Sequence, residues 1–494
     1  MLGDVASGEK LNRLRTQWQV RAFASTSHTC LKNPPTVILS ASQRAMESYS
    51  RLLPAPTRSP VQNTRGGFTD DYQQMVDNGR SNLWKALGPG ILVACAAIGG
   101  SHLVWATRAG AEYGWSLVGL ILMANLFKYP FFLYGQKYTA ATGESLLAGY
   151  QRQGNGYVWT FLAVNVLTGI INIAGVAMLT GALLSAYGLA PFGVTNLGVG
   201  IMVVCGSLLL FGHYRLLDAL AKIIIVVLAL GTLAAVFFAF LNRPVPQADF
   251  VSPTPWNWAS FTFLVMLLGW MPAPIDLSAW SSLWMFSRKE QTGHMATTKE
   301  TSIDFHIGYI SAVVLAICFL ALGALVMHGT GEVFSDSGTQ FSEQLIDLYT
   351  KSIGEWSRYL ILTAAFVTMF STTLTCLDGY PRSLAACCAL IGDLSPKKFD
   401  RIRMALIILS IAIAAVVDYY FADRLLALLG FAAIVSFVTS PILAFINLKV
   451  MNGSNVPESD RPGPVLMILS WLGLLFFALM TAGFVYARFL MPSG

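Results

Sequence analysis

The chain has 494 residues, of which 55% are hydrophobic and 12% charged, with 32 Lys and Arg against 26 Asp and Glu for a formal charge of +6. A soluble domain carries about twice that charged fraction, so the composition excludes a water-solvated globule and makes the bilayer the solvent. Of the seven cysteines, all but Cys30 lie in or beside apolar runs, where they read as small buried hydrophobes.

Residues 1–80 differ in kind from the rest. They are rich in Ser, Thr, Pro and Arg, lack apolar periodicity, and read as a disordered cytoplasmic tail or an over-long start upstream of Met46 or Met75. Residues 81–490 read as one membrane domain. Crossing roughly 30 Å of hydrocarbon takes about 20 apolar residues in a helix that satisfies its own backbone. Such runs fall at Leu87–Arg108, Trp115–Thr139, Tyr157–Leu189, Asn196–Gly212, Leu216–Leu241, Ser260–Trp284, Asp304–His328, Trp356–Leu384, Ile402–Phe421, Leu425–Val450 and Pro464–Leu490, about eleven in all. Lys and Arg concentrate in alternate loops (Arg215 and Lys222; Arg288, Lys289 and Lys299; Arg382, Lys397, Lys398, Arg401 and Arg403), which places the N-terminus in the cytoplasm and the C-terminus outside. The acidic loop 330–355 then faces out.

Two of these runs are interrupted. The first begins Gly88-Pro89-Gly90 and reaches Gly99-Gly100-Ser101-His102 about halfway along. The sixth contains Gly269-Trp270-Met271-Pro272-Ala273-Pro274, where each proline removes an N–H and clashes with the carbonyl four residues back. Irregular backbone at membrane depth is tolerated only where protein or a water-filled cavity covers it, so the two breaks predict a shared internal site. Their spacing predicts an all-α fold of two inverted five-helix halves, about 87–241 and 260–450, followed by an extra helix at about 464–490. Either break alone reads equally as close helix packing or a proline kink; the matched pair favours a substrate site formed by Gly99, Gly100, Ser101, His102, Met271, Pro272, Ala273 and Asp276.

The individual side chains keep two readings each. His102 is a hydrogen-bonded interior histidine or a ligand. Asp276 is the N-cap of the second half of the sixth helix, a ligand, or both. Thr372 and Thr373 give hydroxyls to a coupling ion or bond back to their own helix. Asp378 is a coupling-ion candidate, and its spacing from Arg382 suits a local ion pair. Trp270, Trp280 and Trp284 pack as core aromatics or stack on an organic solute.

Gly88-Pro89-Gly90-Ile91-Leu92-Val93, Ala109-Gly110-Ala111-Glu112-Tyr113-Gly114 and Ala141-Thr142-Gly143-Glu144-Ser145-Leu146 resemble the first two helices of the NRAMP divalent-metal transporters. Met271-Pro272 and Phe370-Ser371-Thr372-Thr373-Leu374-Thr375 are similar to that family's sixth and eighth helices, and the resemblance covers roughly 81–490. It implies the LeuT-like 5+5 inverted repeat and metal-ion transport by alternating access. The chain also departs from the family pattern. The metal-binding Asp-Pro-Gly-Asn is replaced by Gly99, Gly100, Ser101 and His102, the histidine after Met-Pro by Ala273, and acidic residues of the third helix by Gly169 and Asn172. For a metal cargo, His102, Met271 and Asp276 are the side chains able to replace the missing aspartate. A different small solute, anionic or zwitterionic, on the same scaffold and a binding sensor without turnover are the alternatives.

No phosphate-cradling loop, Cys-x-x-Cys pair or nucleophile elbow occurs, so an ATP-driven pump and a membrane enzyme are excluded and no cofactor is expected. The expected partners are the lipid bilayer and a small solute or divalent metal ion, without nucleic acid. The expected location is the plasma (inner) membrane.

Overall fold

The computed structural model describes residues 83–211, 214–242, 244 and 246–490, without the side chains of 212–225. The expected disordered tail lies outside the described residues, as do the side chains of Arg215 and Lys222. The described chain is helical, in the order α1a (Pro89–Ala97), α1b (Ser101–Tyr113), α2 (Val118–Thr142), α3 (Asn155–Leu184), α4 (Val194–Leu210), α5 (Tyr214–Leu241), α6a (Trp258–Trp270), α6b (Leu277–Thr292), α7 (Thr298–Val326), α8 (Arg358–Gly392), α9 (Pro396–Tyr420), α10a (Leu425–Val438), α10b (Ser440–Met451) and α11 (Pro464–Val485). Shorter helices at Leu146–Gln153 and Gly338–Ile353 lie in the connections.

Among the described residues seven helices are long and apolar enough to cross a membrane, and the bent pair α1a and α1b makes an eighth. Val194–Leu210, Val226–Leu241 and Trp258–Trp270 are shorter apolar helices. Length and apolarity alone therefore do not fix the expected count of eleven spans. The apolar outward faces of α9 and α11, with only 28% and 17% of their apolar windows buried, are those of an integral membrane protein.

Both expected breaks are present. Helix α1 bends by 45° between Ala97 and Ser101. Helix α6a starts where the Asn257 side chain accepts from the Ser260 N–H at 2.8 Å, and it ends at Trp270, just before Pro272 and Pro274. Helix α6b closes at Gly293, whose φ of 68° is the left-handed conformation of a C-terminal glycine.

The helices sort into two packed sets. Helices α1, α2, α6b and α7 pack on one another, and α3, α4, α8 and α9 form the second set. The pairings repeat five helices on: α1 with α7 is matched by α6b with α2, α3 with α9 by α8 with α4, α5 with α7 by α10b with α2, and α5 with α8 by α10a with α3. That exchange of partners is what an inverted five-helix repeat requires.

The start of α1a has no cap of its own. Asp304 of α7 supplies one, its carboxylate accepting from the Gly88 N–H at 3.0 Å and from the Gly90 N–H at 2.5 Å. Glycine permits this approach: a Cβ on Gly308 would stand 2.1 Å from the Gly90 carbonyl oxygen. Asp304→Ala removes the acceptor for two buried N–H groups and should cost about 2 kcal/mol of stability. Thermal unfolding of the solubilised protein measures it, and an unchanged midpoint would count against the cap.

Candidate substrate site between the broken helices

The α1 break is held by its own side chains. Ile98 leaves helical geometry with ψ of 81°, and the Ser101 hydroxyl bonds back across the gap to the Ala97 carbonyl at 2.6 Å. From the second helix set, the Thr372 hydroxyl reaches the Cys95 carbonyl at 3.2 Å and its own Thr368 carbonyl at 3.1 Å. The two breaks also touch directly, since a Cβ on Gly100 would stand 2.4 Å from the Trp270 ring.

Between them lies a cavity of about 30 Å³, lined by Gly100, Ser101, Asn172, Trp270, Trp280 and Tyr380 among others. That is room for only a few waters, so the site is small in this arrangement. Its walls come from α1, α3, α6 and α8 and so from both helix sets.

Of the residues expected here, Gly100, Ser101, Pro272, Ala273 and Thr372 line the cavity, while Gly99 sits beneath Thr372. His102 is fully buried but turned toward α7: Nε2 bonds the Ala312 carbonyl at 2.8 Å, Nδ1 meets the Ser101 hydroxyl at 2.6 Å, and the ring packs edge-on to Phe319. Met271 is buried and does not line the cavity. Asp276 stands at the N-cap position of α6b, yet its side chain makes no cap bond, which corrects the expectation that it caps this helix. The reason is conformational: its φ of −58° and ψ of −23° are helical, whereas a capping residue takes extended backbone to turn its side chain back on the first turn. The carboxylate instead accepts from the Thr168 hydroxyl of α3 at 3.0 Å, with Tyr380 and the Leu277 N–H beside it. Among the described residues no group of three or more His, Cys, Asp or Glu is placed to hold a metal ion. His102, Met271 and Asp276 are thus not assembled on the cavity.

Thr373 bonds to Thr180 at 2.8 Å and to its own Met369 carbonyl at 2.9 Å. Asp378 forms the local pair with Arg382 through two bonds of 2.9 and 2.6 Å, and Trp284 donates to it at 3.2 Å. Asn172 lines the cavity, its amide donating to the Thr168 carbonyl at 2.7 Å and the Ser436 hydroxyl at 3.0 Å. Gly169 lies against Tyr380.

Sequence reasoning missed Lys128. It is fully buried in α2, and its ammonium donates to the carbonyls of Leu268 at 2.8 Å, Gly269 at 2.9 Å and Ala273 at 2.9 Å. Leu268 and Gly269 end α6a, where backbone carbonyls have no helical partner. The available signal was a cation in the middle of the apolar run Trp115–Thr139, well away from Lys137 near the end of that run, since ionisable groups at membrane depth mark functional sites.

Two broken helices that meet at a small cavity, between two helix sets related by an inverted repeat, are the architecture of a LeuT-like membrane transporter. The chain belongs to the natural resistance-associated macrophage protein-like family, whose model matches residues 90–487. It is 40% identical to an uncharacterized protein of Pasteurella multocida over 85% of this chain and 96% of that one. The divalent metal cation transporter MntH of Listeria welshimeri is 23% identical over 89% of this chain and 96% of its own length. Among solved structures, the Eremococcus coleocola manganese transporter superposes with a TM-score of 0.63 at 16% identity, covering 88% of this chain and 92% of that one. MhsT in complex with L-phenylalanine gives a TM-score of 0.56 at 12% identity, over 80% of this chain and 98% of that one. At these identities the two superpositions speak to the fold alone.

The contact between Gly100 and Trp270 is testable. Gly100→Ala forces a methyl group into the indole and should cost about 1–3 kcal/mol, whereas in a Trp270→Ala background the same change should be nearly free. A double-mutant cycle of thermal melts reads the coupling, and additive penalties would mean that the two breaks do not lean on each other.

Proposed function

We propose that the chain is a secondary transporter that carries a divalent metal cation by alternating access. Helices α1, α2, α6 and α7 rock as a bundle against α3, α4, α8 and α9, opening the cavity to each side in turn. The observation that carries transport is the meeting of two broken helices at one buried cavity walled by both sets. The metal cargo rests on family membership and on the named metal transporters that align along most of the chain. In the present arrangement the side-chain oxygens of the cavity-lining residues are those of Ser101, Asn172, Thr372 and Tyr380. Recruiting His102, Met271 or Asp276 takes a different conformation of the breaks.

A second reading, transport of a small anionic or zwitterionic solute, is favoured by the aromatic wall. The indole N–H groups of Trp270 and Trp280 are buried and have no hydrogen-bond partner among the described residues. Two such donors on residues that line the cavity with Ser101 and Thr372 suit a carboxylate, and among the described residues no carboxylate lines the cavity.

Uptake into proteoliposomes separates the two readings. With divalent metal as cargo, uptake should saturate and fall about tenfold or more in Asp276→Asn through loss of a ligand or its charge. With organic cargo, Trp280→Phe should weaken uptake and Asp276→Asn should not. Because Gly169 and Asn172 carry no charge, either cargo should accumulate with little response to an imposed pH gradient; uptake that collapses when only that gradient is dissipated would overturn this.

The membrane orientation follows from the cationic loops: Arg288 to Glu300 inside, Glu332 to Glu355 outside, in the plasma (inner) membrane. Single cysteines at Ser335 and Thr297, treated on intact cells with an impermeant thiol reagent, should label at Ser335 alone. Labelling of both from outside would refute the orientation.

A further inference from the structure

We infer that the α6 break is a monovalent-cation site filled from within, with the Lys128 ammonium as its resident ion. Three carbonyl oxygens, those of Leu268, Gly269 and Ala273, converge on one nitrogen at 2.8 to 2.9 Å. Carbonyls that have lost their helical partners at the negative end of a half-helix are the ligand type that broken membrane helices offer to cations. A neutral amine has two N–H groups and an ammonium three, so three N–H···O bonds require the charged form. Asp276, buried three residues beyond Ala273, supplies the countercharge a buried ammonium needs.

The side chain comes from α2 and does not line the cavity. The inference therefore holds whichever cargo the cavity takes. Its functional content is that the break needs no dissolved co-ion: a tethered cation occupies the carbonyls, and the wild-type protein should be indifferent to exchange of sodium, potassium or choline in the medium.

Lys128→Ala vacates the site while leaving its three carbonyls, so a small free cation should refill it. The measurement is the thermal midpoint of purified wild type and Lys128→Ala in choline, sodium, ammonium and methylammonium chloride at equal ionic strength, with no cargo present. We expect the variant to melt several degrees below wild type in choline and to regain most of that loss in ammonium or methylammonium, with wild type unmoved. A folded Lys128→Ala with the same midpoint in choline and ammonium overturns the inference. Where Lys128→Ala does not fold, Lys128→Gln, which keeps two N–H donors without the charge, takes its place. A wild-type midpoint for it in choline, or a lowered midpoint that ammonium leaves unchanged, is equally fatal.

Discussion

Every backbone N–H and C=O inside a bilayer must find a partner within the protein, and the two broken helices are where this chain fails to supply one from its own ladder. The partners come from elsewhere in the sequence. At the α1 break they are Ser101 for the Ala97 carbonyl and Thr372 for that of Cys95, with Asp304 receiving the first N–H groups of α1a. At the α6 break Lys128 takes three carbonyls at once. An unpaired buried group costs about 1–3 kcal/mol, so a single lysine removes a penalty comparable to a large part of a domain's net stability.

The same satisfaction decides what can move. Glycine brings α1a and α7 into backbone contact, and a Cβ on Gly90 would stand 2.3 Å from the Asp304 carbonyl oxygen. That seam cannot slide by a fraction of a residue without a clash, which binds α1 and α7 into one body. The face between the two helix sets is different, with hydroxyls, an amide and aromatic rings around a small void. Rearrangement there exchanges one set of hydrogen bonds for another, whereas inside the bundle it would break packing.

The breaks were legible in the sequence because Gly-Gly and Pro-x-Pro act locally, through missing Cβ atoms and missing N–H groups. The Asp378–Arg382 pair was legible for the same reason, being one helical turn long. What escaped was set by partners distant in sequence. Lys128 finds its acceptors about 140 residues away, and His102, in the π-helical start of α1b, finds the Ala312 carbonyl 210 residues away. Asp276 looks like a cap from its place after Pro274, but its backbone is already helical and its carboxylate is bonded to Thr168 of α3.

Charge sets the terms on which the cavity receives a cargo. A divalent ion in the cavity would be repelled by the Lys128 ammonium, which bonds the carbonyl of the cavity-lining residue Ala273. Such repulsion weakens metal binding unless something opposes it. An ionised Asp276, three residues beyond Ala273, opposes it, so the metal reading depends on Lys128 and Asp276 acting together. An anionic cargo gains from the lysine, loses to the aspartate, and is left with the indole N–H groups and hydroxyls to fix its orientation. With both groups charged, their fields oppose each other in the cavity, and discrimination between cargoes falls to short-range contacts around Trp270, Trp280 and the opened backbone. Selectivity of that kind changes as soon as one member of the pair is neutralised, because the remaining charge then favours one sign of cargo over the other.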